Sequence, residues 1–416
     1  MRVSRTAAGI PTASRYPLRD TLALLGRRNG EWVTVEAAIR GCGRHWPAGS
    51  RRLAFVLAVA AIATTVASFA LLPAAAATSA CELIYTPQLL AVAGNGTAYF
   101  TEYPSSRSSS CAEEAKVLFV KRTPGGYTSV IARDRNRGAA LAGAVDSTGD
   151  LYVLQYEDVV KITPHGRLSV VAGEVGKSGP PTPGTATQSK LDNPFDIAVD
   201  SDGNLYIADD DNDVVEEVTP PGQLSILAGK IRTDGSPIPG PASQSTLSNP
   251  FHIAVDQAGD VYVENGVGGA TVGRQVSEIS PQGNLSVIAG NGSPGAPTQG
   301  AQAANSPLDV VWDLAIDGSG NLYLVTSKDP YASLSGALSS VELNASGTVT
   351  QVTSPAYGPM VSACGRHYVG DKLRFDSAGD AFVAAYKPPS TDESCIVEVT
   401  PQGRRSVVAR SSSSTP

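Results

Sequence analysis

Aromatic residues make up only 6% of this 416-residue chain and charged residues only 17%, and there are just two methionines and four histidines. The scarcity of histidine leaves little room for imidazole acid–base catalysis, since after residue 80 only His165, His252 and His367 remain. His165 lies in a Thr-Pro-His-Gly hairpin, where a solvated turn residue is expected rather than a base. No Gly-x-Ser-x-Gly nucleophile elbow follows residue 80. No Gly-x-x-x-x-Gly-Lys-Ser/Thr phosphate loop does either. Helical periodicity is absent from the same region. What the chain has in quantity is glycine (42) and proline (29), without a collagen-like period. That composition suits a turn-rich all-β protein.

One long apolar run is present. Arg51-Arg52 precede residues 53–72, which are mostly apolar, and a small-residue stretch runs to residue 80. Residues 53–80 have the pattern of a secretory signal peptide. The run also reaches bilayer-spanning length. An uncleaved anchor is therefore the alternative, with the basic leader 1–52 held inside by its charge. That leader is rich in Arg and has no Lys; a gene start placed too early would also account for it. Both readings put the body outside the cytoplasm, secreted or at the cell surface. It would touch a membrane only through residues 53–72, if they are retained. Ten Arg and three acids fall within residues 1–77, out of 32 basic and 39 acidic residues in all. Residues 78–416 therefore keep 22 basic and 36 acidic residues, a net charge of −14. Such a body repels phosphate backbones, so nucleic acid is not an expected partner.

Self-similarity is the strongest feature of the body. Ala144-Val-Asp-Ser-Thr-Gly-Asp-Leu-Tyr-Val153 recurs as Ala198-Val-Asp-Ser-Asp-Gly-Asn-Leu-Tyr-Ile207 and as Ala254-Val-Asp-Gln-Ala-Gly-Asp-Val-Tyr-Val263. A fourth copy is Ala315-Ile-Asp-Gly-Ser-Gly-Asn-Leu-Tyr-Leu324, and weaker copies start at Ala91 and Arg374. The repeat Asp falls at 146, 200, 256, 317 and 376, with Ala93 in its place in the first copy. Each copy continues into a second pair of Val- and Ile-rich segments around a Pro-x-Gly turn, as in Val214-Val-Glu-Glu-Val-Thr-Pro-Pro-Gly-Gln-Leu-Ser-Ile-Leu-Ala-Gly229. Two hairpins per unit, six times over, predicts an all-β, six-bladed β-propeller of four-stranded antiparallel blades. A straight solenoid is the competing architecture. The propeller would span 81–410, with blades at about 81–134, 135–188, 189–244, 245–303, 304–362 and 363–410, and a flexible tail at 411–416. Innermost strands are expected to begin near residues 87, 140, 195, 251, 312 and 372.

Asn249-Pro-Phe-His-Ile-Ala-Val-Asp-Gln-Ala-Gly-Asp-Val-Tyr-Val263 resembles an NHL repeat, and so does Leu191-Asp-Asn-Pro-Phe-Asp-Ile-Ala-Val-Asp-Ser-Asp-Gly-Asn-Leu-Tyr-Ile-Ala-Asp209. The resemblance covers about residues 85–410 and is looser in blades one, five and six. Where the family often has Arg after the Asn, this chain has Asp213-Val214. The resemblance implies a propeller that binds protein, nucleic acid or a small ligand, with lyases and lactonases as a minority. Fold alone does not choose among these.

Candidate site residues come from the position four before the repeat Asp: Leu89, Ala142, Asp196, His252, Asp313 and Lys372. The position starts the innermost strand, so its copies should ring one mouth of the central channel. Asp196, His252, Asp313 and Lys372, on four adjacent blades, form the ligand-binding candidate. Asp196, His252 and Asp313 could also hold a divalent metal, although none is required. The bland alternative is a network of mutually paired channel charges. A second acidic stretch, Asp209-Asp210-Asp211-Asn212-Asp213, lacks the Gly and distal Glu of an EF-hand loop and reads as a solvated loop.

The expected function is an extracytoplasmic binding, sensing or scaffold propeller, acting as a monomer, that recognises a protein or small ligand at the channel mouth. The alternative is a metal-dependent lyase or lactonase-like enzyme using the same mouth. Four cysteines follow the leader: Cys81, Cys111, Cys364 and Cys395. An even number in an exported chain reads as disulfides. Cys81 and Cys364 occupy one repeat position, and Cys111 and Cys395 another, which favours the pairs Cys81–Cys111 and Cys364–Cys395. Lipidation of Cys81 is the rival reading for that residue.

Overall fold

A computed structural model of the chain describes residues 2–5, 21–28, 31–38, 83–106, 117–134, 140–266, 274–328, 338–353, 360–365, 369–387 and 390–411. Residues 53–80, Cys81, Cys111, His367 and residues 412–416 lie outside the described residues. The chain divides into two compact units, residues 1–79 and 80–416. In the first, Arg2–Arg5, Thr21–Arg28 and Glu31–Ala38 form a three-stranded antiparallel sheet with Glu31–Ala38 in the middle. Among the described residues no helix is long and apolar enough to cross a membrane.

The second unit is a six-bladed propeller. Each blade is an antiparallel sheet whose four main strands follow one another in chain order. The innermost strands are Leu83–Val92, Ala142–Val145, Pro194–Val199, Pro250–Val255, Val310–Ile316 and Val369–Phe375. All six begin within four residues of the positions expected from the repeat.

The repeat aspartate owes its place to turn geometry. Asp200 Oδ1 accepts the backbone N–H of Asp202 at 2.9 Å and of Asn204 at 2.8 Å. Its Oδ2 accepts the Asn204 amide at 2.8 Å and the Tyr206 hydroxyl at 2.9 Å. Asp146, Asp256, Asp317 and Asp376 repeat the two backbone bonds. The glycine three residues on has φ between +78° and +86° in these five turns, a backbone that side-chain-bearing residues resist. Blade one, with Ala93 at this position, uses Asn95 Oδ1 to accept the Thr97 N–H at 3.0 Å.

Blades join through apolar faces. Ala142, Ala144 and Leu154 of blade two pack with Ile197, Leu205 and Ile207 of blade three, and the same arrangement recurs around the ring. Connectors protect the outer edges. Gly184–Thr185 adds a short strand to the outer strand of blade three, and Gly240–Pro241 does so for blade four. In blade five a single bridge, Gln302 to Thr348, does the same. Such cover blunts strand edges that could pair with other chains. In blade six the connector is tied covalently one strand in from the edge: Cys364, in the 3-10 turn Met360–Cys364, is disulfide-bonded to Cys395 of the third strand, with their Cα atoms 6.0 Å apart. The pairing is the one expected from the repeat. Arg410 adds hydrogen bonds to the Cys364 and Ala363 carbonyls at 2.9 and 3.2 Å.

The seam between blades six and one is not crossed by any strand among the described residues. Leu89, Phe100 and Leu118 pack there against Phe382, Ile396 and Val408. Ser394 Oγ donates to the Pro87 carbonyl at 2.9 Å, and Arg122 donates to the Val408 carbonyl at 3.0 Å.

Two outcomes follow. Asp200→Ala should lower the stability of the propeller by about 2–3 kcal/mol in urea denaturation, because it orphans turn donors bonded to a charged acceptor. Reduction of Cys364–Cys395, which spans 31 residues, should lower it by roughly 3 kcal/mol. Non-reducing peptide mapping checks the pairing.

Candidate functional site at the channel mouth

The innermost strands do not run straight into the ring. In five blades they carry a bulge: near the strand start between Pro194 and Asp196, Pro250 and Ile253, Val311 and Asp313, and Gly370 and Lys372, and toward the strand end in blade one, between Leu89 and Ala91. A bulge leaves one residue unpaired and re-aims its side chain. The bulged residues in blades three to five include Phe195, Phe251 with His252, and Trp312. Below them the central channel encloses about 170 Å³. Its wall carries mostly small side chains, with Ala91, Ala144, Ala198, Ala254 and Ala315 at one repeat level and Arg374 at the sixth.

Asp196 and Asp313 each reach to the next blade. Asp196 Oδ1 accepts its neighbour Ile197 N–H at 2.9 Å, and Oδ2 accepts the Ile253 N–H at 3.3 Å. Asp313 Oδ2 accepts the Leu373 N–H at 2.9 Å. Arg374 Nη1 donates to both Asp313 oxygens at 3.1 and 3.0 Å, and to the Leu373 carbonyl at 2.7 Å. Asp313 is only 1% exposed, so this is a buried ion pair between blades five and six.

His252 Nδ1 lies 3.8 Å from Asp196 Oδ2, an ion-pair distance rather than a hydrogen bond. Burial would raise the Asp196 carboxyl; His252 beside it, with the positive charges of Arg374 and Lys372, outweighs burial and holds it below its ordinary range. Lys372 and Arg374 of blade six thus act electrostatically on Asp196 of blade three. His252 also neighbours Glu264, a fully buried carboxyl that burial pushes up while Arg274 and His252 pull it down. Arg274 Nη1 sits 3.2 Å from Glu264 Oε1, and its guanidinium lies 4.9 Å from the centre of the Phe251 ring. Phe195 meets Phe251 edge-on at 4.9 Å and His252 edge-on at 5.1 Å.

The metal expectation meets a geometric obstacle. Among the described residues no three His, Cys, Asp or Glu side chains stand together so as to hold a metal ion. Asp196 and His252 are neighbours, whereas Asp313 is engaged by Leu373 and Arg374. The donor set Asp196, His252 and Asp313 does not fit a metal in this arrangement. His165 is an exposed turn residue, as expected.

The acidic stretch 209–213 is not the solvated loop that its composition suggested. Asp209, Asp210, Asn212 and Asp213 are all buried. Asp210–Asn212 form one 3-10 turn, and Asp213 follows with φ of +55°. Asp210 accepts the side-chain amides of Asn249 and Asn193 at 2.8 and 3.2 Å, and Asp213 accepts the Asn249 N–H at 3.2 Å. The turn therefore clips the start of blade four to blade three. Asp209 accepts the Asp192 N–H at 3.0 Å and the Asn212 amide at 2.8 Å. Glu216 lies diagonally across the hairpin from Asp209, and both are fully buried. Burial lifts Asp209 to about 6, and burial plus the Asp209 charge lifts Glu216 well above the ordinary carboxyl range.

Sequence reasoning missed Arg374, the buried Glu264–Arg274 pair, Glu216 and the bulge aromatics. Two signals could have found them. Arg374 stands where five other copies have Ala, and Phe195, Phe251 and Trp312 share one repeat register just before the site position.

Comparisons with known proteins add the following. No family profile and no curated protein matches the chain. Among solved structures, a protein of unknown function from Bacteroides thetaiotaomicron aligns at 16% identity and a TM-score of 0.41, over 58% of this chain. The chain spans 56% of the length of that protein. Virginiamycin B lyase from Staphylococcus aureus aligns at 13% identity and a TM-score of 0.41, over 72% of this chain and 92% of the lyase. A gluconolactonase from Xanthomonas campestris aligns at 13% identity and a TM-score of 0.42, over 72% of this chain and 82% of the lactonase.

Two measurements probe the electrostatics. Asp209 and Glu216 hold a proton more tightly folded than unfolded, so their contribution to stability is present at low pH and fades as pH rises through about 6 and above. Wild type should lose roughly 1–3 kcal/mol between pH 5 and pH 8, and Glu216→Gln should lose less, by denaturation at both pH values. Asp313→Ala should cost about 3–5 kcal/mol by stranding Arg374 and the Leu373 N–H, and the added change Arg374→Ala should recover part of it.

Proposed function

We propose that the body is an exported propeller of the NHL type that binds a ligand at the mouth where the innermost strands begin. The observation that carries this is the cluster at the bulges of blades three and four. There Phe195, 41% exposed, stands against Phe251 and His252, with Asp196 behind the imidazole. An apolar ring open to solvent beside a few convergent polar groups at a channel mouth is the composition of a small-ligand site. In this reading Asp196 and Asp313 are scaffold, fixing the spacing of blades three to six. His252, Lys372 and Phe195 face the ligand.

Export is supported by the Cys364–Cys395 disulfide, which belongs to oxidising compartments, and by the signal-like residues 53–80. The net charge of −14 over residues 78–416 argues against nucleic acid. The protein would act as a monomer on a small ligand or on a short segment of a partner. An enzymatic reading has one observation in its favour: His252 lies between a carboxyl held low, Asp196, and one pushed up, Glu264. Such opposed pairs serve acid–base chemistry.

The test is a thermal-shift screen of neutral sugars, amino acids, organic acids and lactones, with turnover followed for the lactones. A ligand that stabilises wild type but neither Phe195→Ala nor His252→Ala supports the mouth as the site. Stabilisation unaffected by both substitutions would place binding elsewhere. Lactone turnover lost in His252→Ala would favour the enzyme.

A further inference from the structure

We infer that the mouth takes a neutral, hydroxyl-bearing ring, a carbohydrate unit stacked on Phe195. The inference rests on the mouth being a ligand site, as proposed above, and names what that ligand is.

Three acidic groups at this end of the ring each have a basic partner. Asp313 holds Arg374 at 3.0 Å, Glu264 holds Arg274 at 3.2 Å, and Asp196 has His252 at 3.8 Å. A cationic ligand would have to displace a basic partner from one of these acids and leave a buried charge uncompensated, which is costly. A neutral ligand makes no such demand. Polyanions are also opposed by the net charge of −14 over residues 78–416.

The three bulge aromatics differ in what covers them. Trp312 packs into the core shared by blades five and six. Phe251 has the Arg274 guanidinium over its ring. Phe195 is braced edge-on by Phe251 and His252 yet stays 41% exposed. A ring held upright by two others and open to solvent is a stacking platform prepared in advance, with little side-chain freedom left to lose on binding. The apolar C–H face of a pyranose matches a phenyl face. Its hydroxyls match the imidazole of His252 and the ammonium of Lys372, which lie at the same end of the ring.

The experiment is titration calorimetry of the purified full chain with cello-, xylo- and manno-oligosaccharides and chitotetraose, against a galacturonate tetramer of similar length. Wild type should bind at least one neutral oligosaccharide, and the galacturonate tetramer about tenfold more weakly or not at all. Phe195→Ala should weaken binding by about tenfold, as loss of one stacking partner does, while Phe195→Trp keeps it. Phe195→Ala should still unfold cooperatively with a slightly lowered melting temperature, since the ring is 41% exposed and loses its edge contacts with Phe251 and His252, and Phe195→Trp separates that packing loss from the loss of binding. Tyr127→Ala, which removes an exposed aromatic in a blade-one turn, should bind as wild type. Absence of binding to every neutral oligosaccharide, or equal binding by Phe195→Ala, overturns the carbohydrate assignment. If a charged small molecule binds instead and depends on Phe195 and His252, the assignment falls and the mouth stands. If no ligand of any class depends on either residue, both fall.

Discussion

The carboxylate that closes each inner hairpin is the contact on which the rest of this ring depends. In each of five blades one aspartate oxygen takes the two N–H groups left over by a tight turn. In blades two to five the other oxygen holds a tyrosine from the second strand. That tyrosine contributes to the core between blades, so turn geometry and blade packing are set by one side chain. With the turns fixed, the register of the innermost strand is fixed, and with it the place of the bulge at its other end. The mouth is therefore shaped by groups that lie at the far end of the same strand.

This dependence explains which parts of the protein were legible in its sequence. The turn aspartate, its glycine and its tyrosine are local, recur at fixed spacing, and betray six blades and the start of every innermost strand. The bulge is equally local, yet its effect is to move a side chain by one position. The site residue four before the Asp was therefore legible as a position, while its neighbours Phe195 and Trp312, displaced by the bulge, were not. Partners across blades were hidden for a different reason. Nothing near Asp313 in sequence announces Arg374, 61 residues away, as its ion-pair partner. The acidic run 209–213 misled because composition reports charge and not enclosure. Two asparagines, Asn193 and Asn249, bring enough donors to bury it.

At the channel mouth, buried charge is paired across blade boundaries. Asp196 with His252, Asp313 with Arg374 and Asp210 with Asn249 each tie one blade to the next. Such contacts are weak sources of net stability, because desolvation offsets much of their attraction. Their value is positional: they set the angle at which neighbouring innermost strands meet. The Asp209–Glu216 pair differs, since it brings two buried carboxyls together within blade three, and burial raises both.

The seam between blades six and one has a mechanical consequence. Between every other pair of neighbours the backbone itself runs across, so separating them stretches the chain. Among the described residues the seam is held by side-chain packing and a few hydrogen bonds, among them Ser394 to Pro87 and Arg122 to Val408. The propeller is in this respect a split washer: an axial offset of its two ends opens the annulus without threading the chain, at the cost of the packing and hydrogen bonds of the seam. Blade six, stiffened by its disulfide, is the rigid lip of that split, and compliance in the ring is concentrated along one radial line.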